Sequence, residues 1–127
     1  MLDTEFIEKV SNGNSPHSQN CATGVLCDLE SFDSVREAAS KVKESLSSLD
    51  ICILNAGIML VPVKLIEGIE SQQYVNHFSQ FLLLAELYPL LQKTQGRPRV
   101  VSLSSMAHEA ADGNVSLVSL IYLQIIS

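Results

Sequence analysis

The apolar residues of this chain fall into short blocks separated by polar punctuation. After the breaker cluster Ser11-Asn12-Gly13-Asn14-Ser15-Pro16, the run Gly24-Val25-Leu26-Cys27 ends at Asp28. Such a run reads as a short buried strand. Val35, Ala38, Ala39, Val42, Leu46 and Leu49 then recur at helical spacing, which predicts a helix with one apolar face. Ser34 with Glu37 fits a capping box at its start, Ser31 is an earlier cap candidate, and Ser47-Ser48 closes it. Ile51-Cys52-Ile53-Leu54 is apolar without alternation, as expected for a strand covered on both faces of a parallel sheet. A loop containing Pro62 leads to a long helix predicted over 67–93, ended by Gly96 and Pro98. Its middle, Phe81 to Leu91, is nearly all apolar, so much of it should be buried or paired. Arg99-Val100-Val101-Ser102-Leu103 reads as a third strand, ending at Ser104-Ser105. Thr4 to Val10 allows one further short helix.

The order strand, helix, strand, helix, strand predicts an α/β fold with βαβ units and a parallel sheet. Its 127 residues suit one domain, and 46% hydrophobic residues with 17% charged can build a core. The net charge of -6 argues against nucleic-acid binding, which needs concentrated Lys and Arg. The N-terminus lacks a basic region followed by an apolar run, so no signal peptide is expected. Cys21, Cys27 and Cys52 are an odd set without metal-ligand spacing. Cys27 and Cys52, in apolar runs, read as small core residues, the set suits a reducing, cytoplasmic setting, and no metal site is expected. The apolar stretch Leu117 to Ile126 is too short to span a bilayer. It could touch a membrane or a partner. The sequon Asn114-Val115-Ser116 is read as chance.

In an open parallel sheet, ligands bind beyond the carboxyl ends of the strands. The three predicted strands end at Asp28, at Asn55-Ala56-Gly57 and at Ser104-Ser105. Each has a plainer reading. Asp28 suits a turn or helix cap, and Asn55 to Gly57 suit a strand exit. Asn76 lies between Gln72 and Gln80 in what could be a solvated polar stripe, and Ser104-Ser105 could start a turn. His77 and His108 lack the acid and nucleophile-elbow glycines of a serine hydrolase.

Four blocks carry a family resemblance. They are Cys27-Asp28-Leu29 with Ser34-Val35-Arg36; Leu54-Asn55-Ala56-Gly57-Ile58-Met59; Val75-Asn76-His77-Phe78 with Phe81-Leu82-Leu83; and Arg99 through Ser104-Ser105-Met106-Ala107-His108. In this order they resemble the short-chain dehydrogenase/reductase family, in its retinol-dehydrogenase and WW-domain-oxidoreductase-like branch, over about 24–108. The resemblance implies a partial Rossmann-like fold, a doubly wound parallel sheet in one incomplete domain over 1–127, lacking the first two strands and the C-terminal part. It implies an oxidoreductase using NAD or NADP on an alcohol or carbonyl, with retinoids and steroids as candidate substrates. Asp28 would accept from the adenine amino group. The backbone of Asn55, Ala56 and Gly57 would pass the adenosine ribose, with Gly57 leaving room. Asn76 would hold a water in the proton relay, and Ser105 would hydrogen-bond the substrate oxygen.

Two family motifs have no match. Nothing before Asp28 resembles the Thr-Gly-x-x-x-Gly-x-Gly turn that holds the pyrophosphate. Tyr122 is the only tyrosine after Ser105, and Ile126, not lysine, stands four residues beyond it. The Tyr-x-x-x-Lys pair is therefore absent, and an inactive fragment is expected. In the family order 3-2-1-4-5-6-7, the chain's strands correspond to the third, fourth and fifth. Gly24 to Cys27 would then be orphaned, with exposed apolar groups and marginal stability. The residue that chooses NAD or NADP follows the second strand, so the choice stays open. The alternative is a non-catalytic partner that binds a full-length relative, or itself, through the helix 67–93, which in the family often packs across a dimer interface. A third reading is membrane contact through Val115 to Ile126.

Overall fold

The computed structural model describes residues 22–105. Thr4 to Val10, Cys21, His108, the sequon and the apolar stretch after Leu117 lie outside them. The described residues form a small α/β unit with a two-stranded parallel sheet backed by two main helices.

Helix α1 spans Phe32–Ser45. Ser31, not Ser34, is its N-cap, with an extended backbone and a side chain that accepts from the Ser34 N–H at 3.3 Å. Ser34 lies inside the first turn and its hydroxyl turns back to accept from the Asp28 N–H at 2.9 Å. The helix ends before Ser47-Ser48, at the extended Leu46. Val35, Ala38 and Ala39 are buried on one face, as their spacing predicts. Two alanines let the partner helix approach closely.

That partner is α3, Gln80–Lys93. Ala39 packs with Leu87 and Leu90, flanked by Val42, Leu49 and Leu83. Leu91 and Leu84 turn toward strand β1, Ile51–Leu54, and meet Cys52 and Leu54. Thr94 ties the end of α3 to the approach of β1. Its hydroxyl donates to the Leu49 carbonyl at 2.7 Å and accepts from the Leu49 N–H at 3.1 Å. The Lys43–Glu86 ion pair, at 2.7 Å, bridges α1 and α3.

Strand β1 pairs in parallel with β4, Arg99–Ser102, in the register Ile51 to Arg99 through Leu54 to Ser102. Its coverage differs from expectation. Side chains alternate along a strand, so Cys52 and Leu54 face α3 while Ile51 and Ile53 remain 55% and 62% exposed. All of β4 is exposed. Strand β1 is covered on one face rather than two.

Gly24 to Cys27 is not a strand. A strand requires a ladder for its N–H and C=O groups, and this run has no strand partner among the described residues. Leu26 is 80% exposed. The orphaning expected from the strand order outweighs the apolar composition of the run.

The predicted helix over 67–93 is helical only from Ser71 onward. Strands β2, Leu65–Ile66, and β3, Ile69–Glu70, form a small antiparallel hairpin. Its tip is Glu67-Gly68, with φ of 53° and 83°. Two positive φ values match a tight hairpin turn. A short helix α2, Ser71–Gln73, opens the helical stretch, capped by the Glu70 carboxylate. A π-helical segment, Tyr74–Ser79, then leads into α3. Burial along α3 is also one-sided. Leu87, Leu90 and Leu91 are buried, while Phe81 and Tyr88 are exposed.

Candidate functional site

Parallel pairing of β1 and β4 puts both carboxyl ends at one side of the unit. Leu54 stands opposite Ser102, and the Leu103 N–H donates to the Leu54 carbonyl at 3.1 Å. The Asn55-Ala56-Gly57 exit and the Ser104-Ser105 exit are therefore neighbours. All five residues are exposed.

Asn76 joins this cluster from the π-helical segment. Its Oδ1 accepts from the Ile58 N–H at 2.8 Å, and its Nδ2 donates to the Ile58 carbonyl at 2.8 Å. The carboxamide replaces a ladder partner for the residue that follows Gly57. A Cβ on Gly57 would stand 3.4 Å from Asn76 Oδ1, an ordinary contact, so this neighbour alone does not demand glycine there. Gln80, one helical turn on, donates from Nε2 to the Ala56 carbonyl. The polar stripe of Gln72, Asn76 and Gln80 is thus not merely solvated. Two of its members hold the exit of β1.

Asp28 occupies an exposed turn ahead of α1. Its Oδ1 accepts from the Glu30 N–H at 2.9 Å, and its carbonyl accepts from the Ser31 N–H at 3.2 Å. This is the turn role that such a residue adopts by itself. The turn is anchored from the same helical stretch as the β1 exit. Ser79 Oγ donates to the Leu29 carbonyl at 2.6 Å, and the Phe32 N–H donates to the Tyr74 hydroxyl at 3.3 Å. Tyr74 is fully buried, and its ring stacks on Phe32 at 4.1 Å. Burial first, and Glu67 next, push its hydroxyl above the ordinary tyrosine pKa, so it remains a neutral structural group at neutral pH. Burial also pushes the Cys27 and Cys52 thiols up, away from the thiolate character of a reactive cysteine. No cluster with metal-ligand character occurs among the described residues, and no described helix is long and apolar enough to cross a membrane.

Tyr74, Ser79 and Gln80 did not stand out as site residues in the sequence. The available signal was two polar residues, Ser79 and Gln80, directly ahead of the apolar run from Phe81.

The family model for short chain dehydrogenases matches residues 6–117. The chain belongs to this family. Among curated relatives, it is 32% identical over 107 residues to the WW domain-containing oxidoreductase of Drosophila melanogaster, covering 84% of this chain and 25% of that protein. It is 44% identical over 84 residues to human (Homo sapiens) retinol dehydrogenase 13, covering 65% of this chain and 25% of that protein. The chain spans about a quarter of the length of these relatives. Among solved structures, a mutant form of a Serratia marcescens short-chain dehydrogenase/reductase matches 98% of this chain and 50% of its own, with a TM-score of 0.66 and 16% identity. That likeness establishes the fold as part of a Rossmann-type sheet. An uncharacterised protein from Mycobacterium Paratuberculosis matches 65% of this chain and 28% of its own, with a TM-score of 0.52 and 43% identity. The family match reaches beyond the 24–108 stretch that carries the motifs, on both sides.

Proposed function

We propose that this chain is the middle portion of an NAD(P)-dependent oxidoreductase that acts on an alcohol or carbonyl group, with a retinoid or steroid as the substrate class. The supporting observation is the cluster at one end of the β1–β4 sheet, where Asn76 grips the exit of β1 beside the Ser104-Ser105 exit of β4. Asp28 and Asn55 to Gly57 are exposed and fit the adenosine end of a dinucleotide. Asp28 would accept from the adenine amino group, and the Asn55 to Gly57 backbone would line the ribose. When bound, the cofactor supplies or accepts the hydride. Ser105 would donate to the substrate oxygen and stabilise charge that develops there. Asn76 would hold a relay water from its place on the π-helical segment, a type of irregularity frequent at functional sites.

The 127 residues hold neither the glycine-rich turn nor the Tyr-x-x-x-Lys pair. This stretch alone is therefore inactive, and its affinity for cofactor is low. The test is thermal unfolding of the purified chain with and without millimolar NADH or NADPH. A ligand at 100 times its dissociation constant stabilises by about 2.7 kcal/mol. Under this proposal the midpoint moves little and no turnover is seen. A large shift accompanied by turnover of retinoid or steroid carbonyls would overturn the inactivity.

A second reading draws on α3. Phe81 and Tyr88, seven residues apart on one helical face, are 65% and 54% exposed. That face suits contact with a full-length relative or a second copy. Pull-down of both by the wild type, lost in Phe81→Asp, supports this reading; failure with both removes it.

A further inference from the structure

Two consecutive residues where the π-helical segment meets α3 are buried and polar. Ser79 is fully buried and Gln80 is 8% exposed. Polar groups are not buried without hydrogen bonds, and theirs run to loops rather than to the helix. Ser79 Oγ donates to the Leu29 carbonyl at 2.6 Å, and Gln80 Nε2 donates to the Ala56 carbonyl. Leu29 follows Asp28, and Ala56 lies at the centre of Asn55 to Gly57. Consecutive helix residues point roughly 100° apart, so one backbone step serves two different loops.

We infer that Ser79 and Gln80 are positioning residues that hold the Asp28 turn and the Asn55–Gly57 exit at a fixed separation, the two together forming the adenosine-binding edge. The inference rests on the proposed cofactor role of these loops. Neither side chain has to touch cofactor or substrate. Each acts through a carbonyl whose peptide plane orients the neighbouring functional group. The Leu29 carbonyl fixes the turn that presents the Asp28 carboxylate. The Gln80 bond to the Ala56 carbonyl fixes the plane of the Ala56–Gly57 peptide, with the carbonyl turned toward α3. The clamp has further attachment points beside it. The Tyr74 hydroxyl accepts from the Phe32 N–H, and Asn76 grips Ile58 on both sides. The turn and the exit are separated by more than twenty residues in sequence and meet on one stretch of helix, so the helix sets their spacing.

The experiment compares residue-resolved amide hydrogen exchange in the wild-type chain with Ser79→Ala, Gln80→Met and the control Leu87→Ala. Leu87 is a core residue touching neither loop in the packing described above. The reporters are Ser31 and Phe32 for the turn and Ile58 for the exit. The expected result is local. Ser79→Ala speeds exchange at Ser31 and Phe32 by roughly tenfold, the factor of one net hydrogen bond, and leaves Ile58 unchanged. Gln80→Met does the reverse. Leu87→Ala raises all three together. The inference is overturned if the two variants raise all reporters in the Leu87→Ala pattern, or if either leaves its own loop unchanged. It is equally overturned if the reporters are unprotected in the wild type. NADH affinity is then measured in parallel. Local exchange changes with no NADH binding to any variant, wild type included, would retain the clamp and agree with the low cofactor affinity proposed for this stretch alone. Wild-type binding that weakens several-fold in both variants supports both, and binding unchanged in the variants overturns the clamp's role in the site.

Discussion

The Asn76 carboxamide hydrogen-bonds both backbone groups of Ile58, each at 2.8 Å. It does so from a π-helical segment, whose wider turn distinguishes it from the regular helices on either side. Ile58 is the residue at which the chain leaves β1's exit for the loop toward β2. One side chain thus fixes where the sheet's end stops and the loop begins. Asn76→Ala removes both bonds at a partly solvated position, so a loss of about 1 kcal/mol is expected. Asn76→Asp keeps the acceptor but turns a second carboxylate oxygen toward the Ile58 carbonyl. It should be at least as destabilised near neutral pH and should recover toward the wild type in acid, where the protonated carboxyl donates again. Urea unfolding of both variants at two pH values checks this. An Asn76→Asp chain as stable as wild type at neutral pH would show that the carboxamide is not acting as a two-way clamp.

Glu70 gives the stability a defined pH dependence. Burial pushes its carboxyl up. The N–H groups of Gln72 and Gln73 and the hydroxyl of Ser71 outweigh that effect and hold its pKa below the ordinary glutamate range. Glu37 and Glu86 are lowered too, through hydrogen bonds to Lys41 and Lys43. A carboxylate with a lowered folded-state pKa stabilises the fold above its unfolded-state value, near about 4.3. That stabilisation is lost as pH falls through the folded-state value. Urea midpoints should therefore drop as the pH falls below about 5, and the drop should be smaller in Glu70→Gln. Glu70→Ala should cost about 1 kcal/mol at neutral pH through loss of the cap.

Much of this arrangement was legible in the sequence. Val35, Ala38, Ala39 and Val42 recur with a helical period, and α1 buries that face. Ile51 to Leu54 is an apolar run and Arg99 to Ser102 centres on Val100-Val101, and both are strands. The same criterion failed for Gly24 to Cys27, because a composition suited to a strand does not supply its ladder partner. The hairpin around Glu67-Gly68 was absorbed into a predicted helix. Glutamate favours helix, and only Gly68 hinted at positive φ. The π-helical segment has no period that separates it from an α-helix over so few residues. The resemblance singles out Asn76 through its motif, and the structure places its carboxamide on Ile58. The hydrogen bonds of Ser79 and Gln80 carry no such signal, because their partners, Leu29 and Ala56, are far away in sequence and become neighbours only through packing of α3.

Tyr74 separates ring packing from hydrogen bonding in the approach to α1. Tyr74→Phe retains the stack on Phe32 and removes the hydroxyl, which accepts from the Phe32 N–H and interacts with Glu67. At 3.3 Å that bond is long, so about 0.5–1 kcal/mol is expected. Tyr74→Ala also opens a cavity at a fully buried position and should cost about 3–5 kcal/mol. Equal losses in the two variants would mean that the hydroxyl, rather than the ring, carries Tyr74's contribution.

The open face of β1 makes a further prediction. Ile51 and Ile53 point away from α3 and are more than half exposed, whereas Cys52 and Leu54 pack against Leu91 and Leu84. Doubly wound sheets are covered on both faces, and a two-stranded sheet has little independent stability. The isolated chain should therefore be marginal, with no sharp melt above about 65 °C, and its open face should bind an apolar dye. Leu54→Ala should lose about 2–4 kcal/mol. Ile53→Thr should change stability by less than about 0.5 kcal/mol, as surface substitutions usually do, while reducing dye fluorescence and self-association. Neighbouring residues of one strand would then differ severalfold in cost solely because they face opposite ways. If Ile53→Thr costs as much as Leu54→Ala, the outer face of β1 is covered in solution and its exposure is not a property of the folded chain.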